Sequence, residues 1–193
     1  MGPVKNVTSA WRRRRARPSP SLSRSLGIIV VALVLLLAMR QAGWFAPETG
    51  AFTAIDGDSL RKDGQEYRLN GIDAPELNQI CRDASGRDYP CGREAREALR
   101  KLVGGHGLDC MIMDTDHYGR AVAVCRANGH DINGEMVKQG WAIAYRRHSL
   151  SYVGEEDDAR RARRGLWQGQ FEDPEDWRTS HRHDINRGEL APD

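Results

Sequence analysis

Three short clusters in this chain set carboxylates beside arginines in a pattern that could handle a phosphodiester. They are Asp56-Gly57-Asp58-Ser59, the run from Tyr67 through Arg68, Asn70, Gly71, Asp73, Ala74 and Pro75 to Glu76, and Asp116-His117-Tyr118-Gly119-Arg120. Asp58, Asp73 and Glu76 fall at turns or strand ends, where side chains distant in sequence can converge. Their hard oxygens suit a calcium ion. Arg68 and Arg120 carry planar forks that match phosphate oxygens. A cation and guanidinium groups neutralise a pentacoordinate phosphorus centre, and a carboxylate can take a proton from attacking water. Each cluster also has an ordinary explanation. Asp-Gly is a common turn, and acids beside arginine often pair at a surface.

Such side chains need a scaffold to meet. Residues 52–56, 59–62 and 66–72 read as three short strands, with Asp63-Gly64 as a hairpin turn. Residues 92–103 read as an amphipathic helix, with Ala95, Leu99, Leu102 and Val103 at helical spacing. Residues 108–113 and 121–125 read as two more strands around the Asp116–Arg120 loop. Asp131 can cap a short helix through Met136 and Val137. Residues 152–164 read as a charged helix, residues 48–51 as a linker, and the tail after Arg178 as polar chain. Strands early and helices interposed or late fit an α+β domain built on a small barrel.

Charge narrows how such a domain could hold a polyanion. Eight of the 29 basic residues precede Glu48 and none of the 27 acidic ones does, so the remainder carries −6. A domain of that charge does not grip phosphates by bulk electrostatics. It needs a metal ion and a few placed arginines.

The amino-terminal quarter reads as a targeting segment. An uninterrupted apolar run, residues 26–39, follows Arg12 to Arg15, Arg17 and Arg24. That order keeps the basic stretch, residues 1–25, in the cytoplasm and sends the carboxyl-terminal domain outward. The run matches a signal-peptide core and is short for a span; extended over residues 26–46 it reads as a transmembrane anchor. Trp44 at the −3 position argues against cleavage after Ala46, so the expectation is an uncleaved anchor, with a domain facing the periplasm or exterior, secreted if the segment is cut. Cys81, Cys91, Cys110 and Cys125 all follow this segment, which suggests two disulfides. Of the three pairings, Cys81–Cys91 would close a loop rich in Asp, Gly and Pro, and Cys110–Cys125 would link two adjacent strands. Zinc is the rival, but no C-x2-C pair exists.

The ordered motifs resemble the staphylococcal nuclease (thermonuclease) family. "IDGDS", "YRLNGIDAPE" and "DHYGRAVA" are similar to its site segments, and "DINGEMVKQGWAIAY", "Y…E…AR…RGLW" and "F…P…WR" continue its order over residues 52–178. The resemblance implies a five-stranded OB-like β-barrel with three helices, here preceded by a hydrophobic helix and followed by a polar tail, residues 179–193. It implies calcium bound by Asp58, Asp73 and the Ala74 carbonyl, with Asp56 just behind. It implies Glu76 orienting or deprotonating water, Arg68 and Arg120 on the phosphate, and Tyr118 and Tyr145 against the nucleotide. The activity implied is endo- and exonucleolytic cleavage of DNA and RNA that leaves 3′-phosphates. The sequence shows no sign of oligomerisation, so a monomer is expected. Ala74 stands where the best-known member has threonine, and Ser59 replaces a threonine.

The remaining features have plain readings. Trp141, Trp167 and Trp177 read as packing residues. Arg160, Arg161, Arg163 and Arg164 read as a solvated helix face. His106, His117, His130 and His148 show no ligand spacing and read as surface residues, with His117 placed to touch substrate. The alternative function is a catalytically inactive OB-like domain that binds nucleic acid or protein at the cell envelope. It leaves five site residues without a purpose.

Overall fold

A computed structural model describes residues 22–41, 46–105 and 107–182. The chain divides into two units, Met1–Phe45 and Ala46–Asp193. In the first, helix α1 (Leu22–Gln41) contains the apolar run. Its side chains from Leu26 to Leu37 are exposed. Among the described residues no helix is long and apolar enough to cross a membrane. The transmembrane reading covers residues 26–46, of which residues 42–45 lie outside the described residues. The uninterrupted run of 14 residues spans about 21 Å at the helical rise, against a hydrocarbon core of about 30 Å. The basic stretch through Arg17, Trp44, Phe45, His106 and the tail from residue 183 lie outside the described residues.

In the second unit, strands β1 (Glu48–Gly50), β2 (Thr53–Ala54), β3 (Ser59–Lys62), β4 (Gln65–Leu69) and β5 (Ile72–Asp73) come first, then a small hairpin of β6 (Cys81–Arg82) and β7 (Asp88–Tyr89). Helix α2 (Cys91–Val103), strands β8 (Leu108–Thr115), β9 (Ala121–Ala127) and β10 (His130–Asp131), helix α3 (Ile132–Lys138) and strand β11 (Ile143–Ala144) follow. Helix α4 (Val153–Arg161), a 3-10 turn (Gly165–Gln168) and helix α5 (Pro174–Ser180) close the domain.

The main sheet runs β1-β8-β9-β4-β3-β2, with β10 added on β9. It curls into half a barrel. The sheet has more strands than the five-stranded barrel expected from sequence, and residues 48–50, expected as a linker, form one of them. They pair with Leu108–Cys110, and Lys62 Nζ holds Glu48 at 2.9 Å. The core packs Leu60, Leu69 and Ile72 against Leu99 and Val103 of α2 and Met136 and Val137 of α3, all buried. Burial of such side chains contributes roughly 1.5–3 kcal/mol each.

Three local features set up the site. First, the strand expected over residues 66–72 breaks. Gly71 has φ +77°, a conformation costly for other residues, so the chain turns. Ile72-Asp73 then pairs with Ile143-Ala144 instead of continuing β4. Second, β4 and β9 pair in parallel, with Arg68 opposite Val122. Arg120, two residues before Val122, therefore projects on the same face as Arg68. Third, β8 and β9 lengthen past a bulge between Ile112 and Asp114, carrying the Asp116–Arg120 loop outward.

Helix α3 starts at the expected cap: the Asp131 side chain accepts from Gly134 N. Helix α4 ends at Arg161, short of the expected Arg164, since Arg163 takes φ +50° before the 3-10 turn. Helix α5 is an element that the sequence analysis does not assign, although it places residues up to 178 within the domain. Asp173 caps it by accepting from Glu175 N, and Pro174 sits in its first turn. Both disulfides join as expected, Cys81–Cys91 and Cys110–Cys125, and among the described residues no cysteine is free. Cys110 and Cys125 are direct partners across β8 and β9.

Candidate active site

Asp58 sits just before β3 and Asp73 ends β5; their exposures are 4% and 0%. Buried carboxylates must be paired. Arg68, from β4, supplies much of that. Its Nη2 lies 3.2 Å from Asp58 Oδ2 and 2.7 Å from Asp73 Oδ1. One nitrogen touching both acids means that their oxygens converge. Ala74 N donates to Asp58 Oδ2 at 3.0 Å, which seats the 74 peptide on the same carboxylate. Ser59 Oγ donates to Asp58 Oδ1 at 3.0 Å, so serine serves where the resemblance led us to expect threonine.

Glu76 lies on the turn after Pro75, and three contacts fix that turn. Gln79, fully buried, accepts from Glu76 N at 3.2 Å and donates to Glu172 O at 2.8 Å. The start of α2 presses on it so closely that a side chain at Gly92 would sit 1.8 Å from Glu76 O. The Cys81–Cys91 bridge closes the intervening loop.

Arg120 does not touch these acids. Asp116 organises its loop, accepting from Tyr118 N and Arg120 N at 3.0 and 2.9 Å and from Arg120 Nε at 2.8 Å. The Arg120 guanidinium lies 5.5 Å from the Tyr118 ring centroid. Even so, Arg68 and Arg120 line one cleft of about 950 Å³, together with Tyr118, Tyr145, His117, His148, Arg178 and Arg182. Tyr118 is 74% exposed, so its face is open to a flat ligand. The His117 ring lies tilted against Tyr118 with centroids 3.8 Å apart, and that of His148 against Tyr145 at 4.8 Å. The sequence reading treated His148 as plain surface; the fold gives it a place in the cleft.

The electrostatics follow from burial. Asp56 lies behind Asp58 and accepts from its backbone N at 3.0 Å. Burial first, then the Asp58 charge, push the Asp56 carboxyl up to about 7. Burial also raises Asp73, against the pull of Arg178. The Asp58 and Asp73 charges hold Arg68 above its ordinary value, while burial opposes them. A crowded, dehydrated acid cluster of this kind attracts cations. Its donor chemistry fits a hard divalent ion, with converging carboxylates and a peptide against one of them. Among the described residues, however, no three acids, histidines or cysteines are drawn together tightly enough to form a ready metal cage. The guanidinium groups satisfy the carboxylates instead.

Residues 66–169 match the family model for staphylococcal nuclease homologues. The chain belongs to the staphylococcal nuclease family. Among its relatives is the succinoglycan biosynthesis protein ExoI of Rhizobium meliloti, 35% identical over 71% of this chain and 73% of that one. A staphylococcal-like nuclease of Arabidopsis thaliana is 34% identical over 60% of this chain. A Yarrowia lipolytica protein named "Probable endonuclease LCL3" is 30% identical over 65%. The chain covers only 33% and 58% of the last two.

In this family member the structure adds one side chain that sequence reasoning passed over. Arg178, on α5, reaches into the acid cluster and bonds both Asp73 and Glu76. Asp173-Pro174 followed by Glu175 and Asp176 is a helix-start signature that could have revealed α5. No sequence signal marks Gln79.

Proposed function

We propose that this chain is a calcium-dependent nuclease that hydrolyses phosphodiester bonds of DNA and RNA and leaves 3′-phosphates. The observation that carries the reading is the meeting of Asp58, Asp73 and Arg68 through one guanidinium nitrogen, at the edge of a cleft that also holds Arg120. Names of relatives that contain "nuclease" or "endonuclease" support it.

Asp58, Asp73 and the Ala74 carbonyl would hold the ion. When bound, calcium supplies positive charge against the phosphate and a hydrated environment for the attack. Arg68 and Arg120 bind the scissile phosphate and offset the charge that builds on its equatorial oxygens. Glu76 orients water and takes its proton as the new P–O bond forms and the bond to the 5′ oxygen breaks. Tyr118 and Tyr145, with the histidines beside them, offer faces to the bases.

We also read the domain as working outside the cytoplasm. Two formed disulfides and the apolar segment behind a basic stretch support export.

The deciding experiment incubates full-length protein with DNA and with RNA, in calcium and in EDTA, and maps product ends. Expected are cleavage in calcium, none in EDTA, and 3′-phosphate ends. Inactivity with every divalent metal, alongside retained binding, would return the inactive binding domain as the better reading.

A further inference from the structure

Helix α5 adds a third guanidinium to the acid cluster. Arg178 Nη2 donates to Asp73 Oδ2 at 2.9 Å, and Nη1 donates to Asp73 Oδ1 at 3.1 Å and to Glu76 Oε1 at 2.9 Å. One fork thus holds the fully buried acid assigned to the metal and the acid assigned to water. Burial lowers the Arg178 pKa, yet its bonds to Asp73 and Glu76 outweigh that and hold it above its ordinary value.

Asp58, Asp73 and Glu76 carry three negative charges when ionised; Arg68 and Arg178 return two of them. A divalent ion held by Asp58 and Asp73 would meet acids already largely neutralised, and Arg178 occupies both oxygens of Asp73. Like charges cannot share a carboxylate at close range without cost. We propose that Arg178 is a positioning residue that fills the cation's share of Asp73 in the free protein while it holds Glu76 beside it. A divalent ion and Arg178 then compete for Asp73, and the C-terminal helix sets the metal affinity. This inference rests on the nuclease reading above.

Removing the arginine should leave α5 docked. Trp177 is buried, and Gln79 Nε2 still holds Glu172 O at 2.8 Å. Asp73 keeps its 2.7 Å partner in Arg68. Coupling is reciprocal, so whatever Arg178 takes from calcium affinity, calcium must take from the hold on α5.

The test titrates calcium into full-length protein by calorimetry, without nucleic acid. Wild type is compared with Arg178→Ala and with Arg178→Lys, which keeps a charge but loses the fork. Arg178→Ala should bind calcium roughly tenfold more tightly, with Arg178→Lys between the two. Amide exchange across residues 174–180 of the wild type should speed up when calcium binds. A residue that merely braced the ligands would give weaker binding on removal. Unchanged or weaker calcium binding by folded Arg178→Ala overturns the competition. If that variant does not fold, Arg178→Lys and the wild-type exchange measurement decide in its place. Wild type that binds calcium and cleaves DNA, with no tightening in the variants, sinks the competition alone. Wild type that binds no calcium and cleaves nothing sinks the nuclease reading and this inference together.

Discussion

Asp58, Asp73 and Glu76 are three acids that the fold forces together and then neutralises with arginine. If the proposed roles hold, removal of the less buried Glu76 or Arg120 should act on rate more than on folding. Glu76→Gln and Arg120→Ala are expected to lower kcat by roughly 10²–10³-fold each, with unchanged circular dichroism. Arg68→Ala differs. It leaves buried Asp58 without its charged partner, while Arg178 still holds Asp73, so a stability loss of about 3 kcal/mol should accompany the rate loss. Near-wild-type turnover in Glu76→Gln would refute the assignment of water activation to that residue. Asp56 gives a pH prediction. Its carboxyl, raised to about 7 in the fold, returns to about 4 on unfolding. The folded state therefore holds an extra proton between those values, and the stability it lends is present at low pH and lost as pH rises through 7. Thermal unfolding in EDTA should show lower Tm at pH 8 than at pH 5 from this source, and Asp56→Asn should flatten the trend.

Elements matter through how they fix one turn. Glu76 rests against the start of α2 at Gly92, is bridged by Gln79 to the segment before α5, and is closed in by Cys81–Cys91. Even the smallest side chain at position 92 collides with Glu76 O. Gly92→Ala must push α2 and the turn apart by more than an ångström, and misplacement on that scale can cost roughly 10²-fold in rate. The variant should fold, with activity falling further than Tm. Loss of Tm alone, with kcat intact, would mean that the turn does not need α2 for its position. These links were only partly legible beforehand. The α2 helix followed from its apolar spacing, and the α3 cap from Asp131. The approach of Gly92 to Glu76 is a contact between backbones, which leaves no pattern in side-chain types.

At the scale of the whole molecule, the two disulfides do different work. Cys110–Cys125 ties neighbouring strands in the core, across a separation of 15 residues. Breaking such a loop removes about 3 kcal/mol in the chain-entropy account. Cys110→Ser with Cys125→Ser should thus lower Tm by about 10 °C while the remaining folded fraction stays active. Cys81→Ser with Cys91→Ser should instead lower activity at temperatures where the domain is still folded, since that bridge braces the Glu76 turn. Equal effects of the two pairs on activity would count against this division of labour. The acidic charge of the domain and the cluster of arginines in one cleft fit a site that grips phosphate locally, not over a broad surface.

Local and ordered information was enough for the outline. Turn residues, alternating apolar positions and the order of the Asp, Arg and Glu motifs determined the family, most strands, the α2 and α3 helices, the cysteine pairs and the five residues of the proposed chemistry. Tertiary structure decided what depends on chain segments meeting. The bend at Gly71 carries Asp73 back to Arg68. The strand at residues 48–50 docks on β8. Helix α5 delivers Arg178 onto Asp73, 105 positions away along the chain. The physical reason is common to all three: a side chain's type shows what it can bond, but only the closed path of the backbone sets which partner lies within about 3 Å of it.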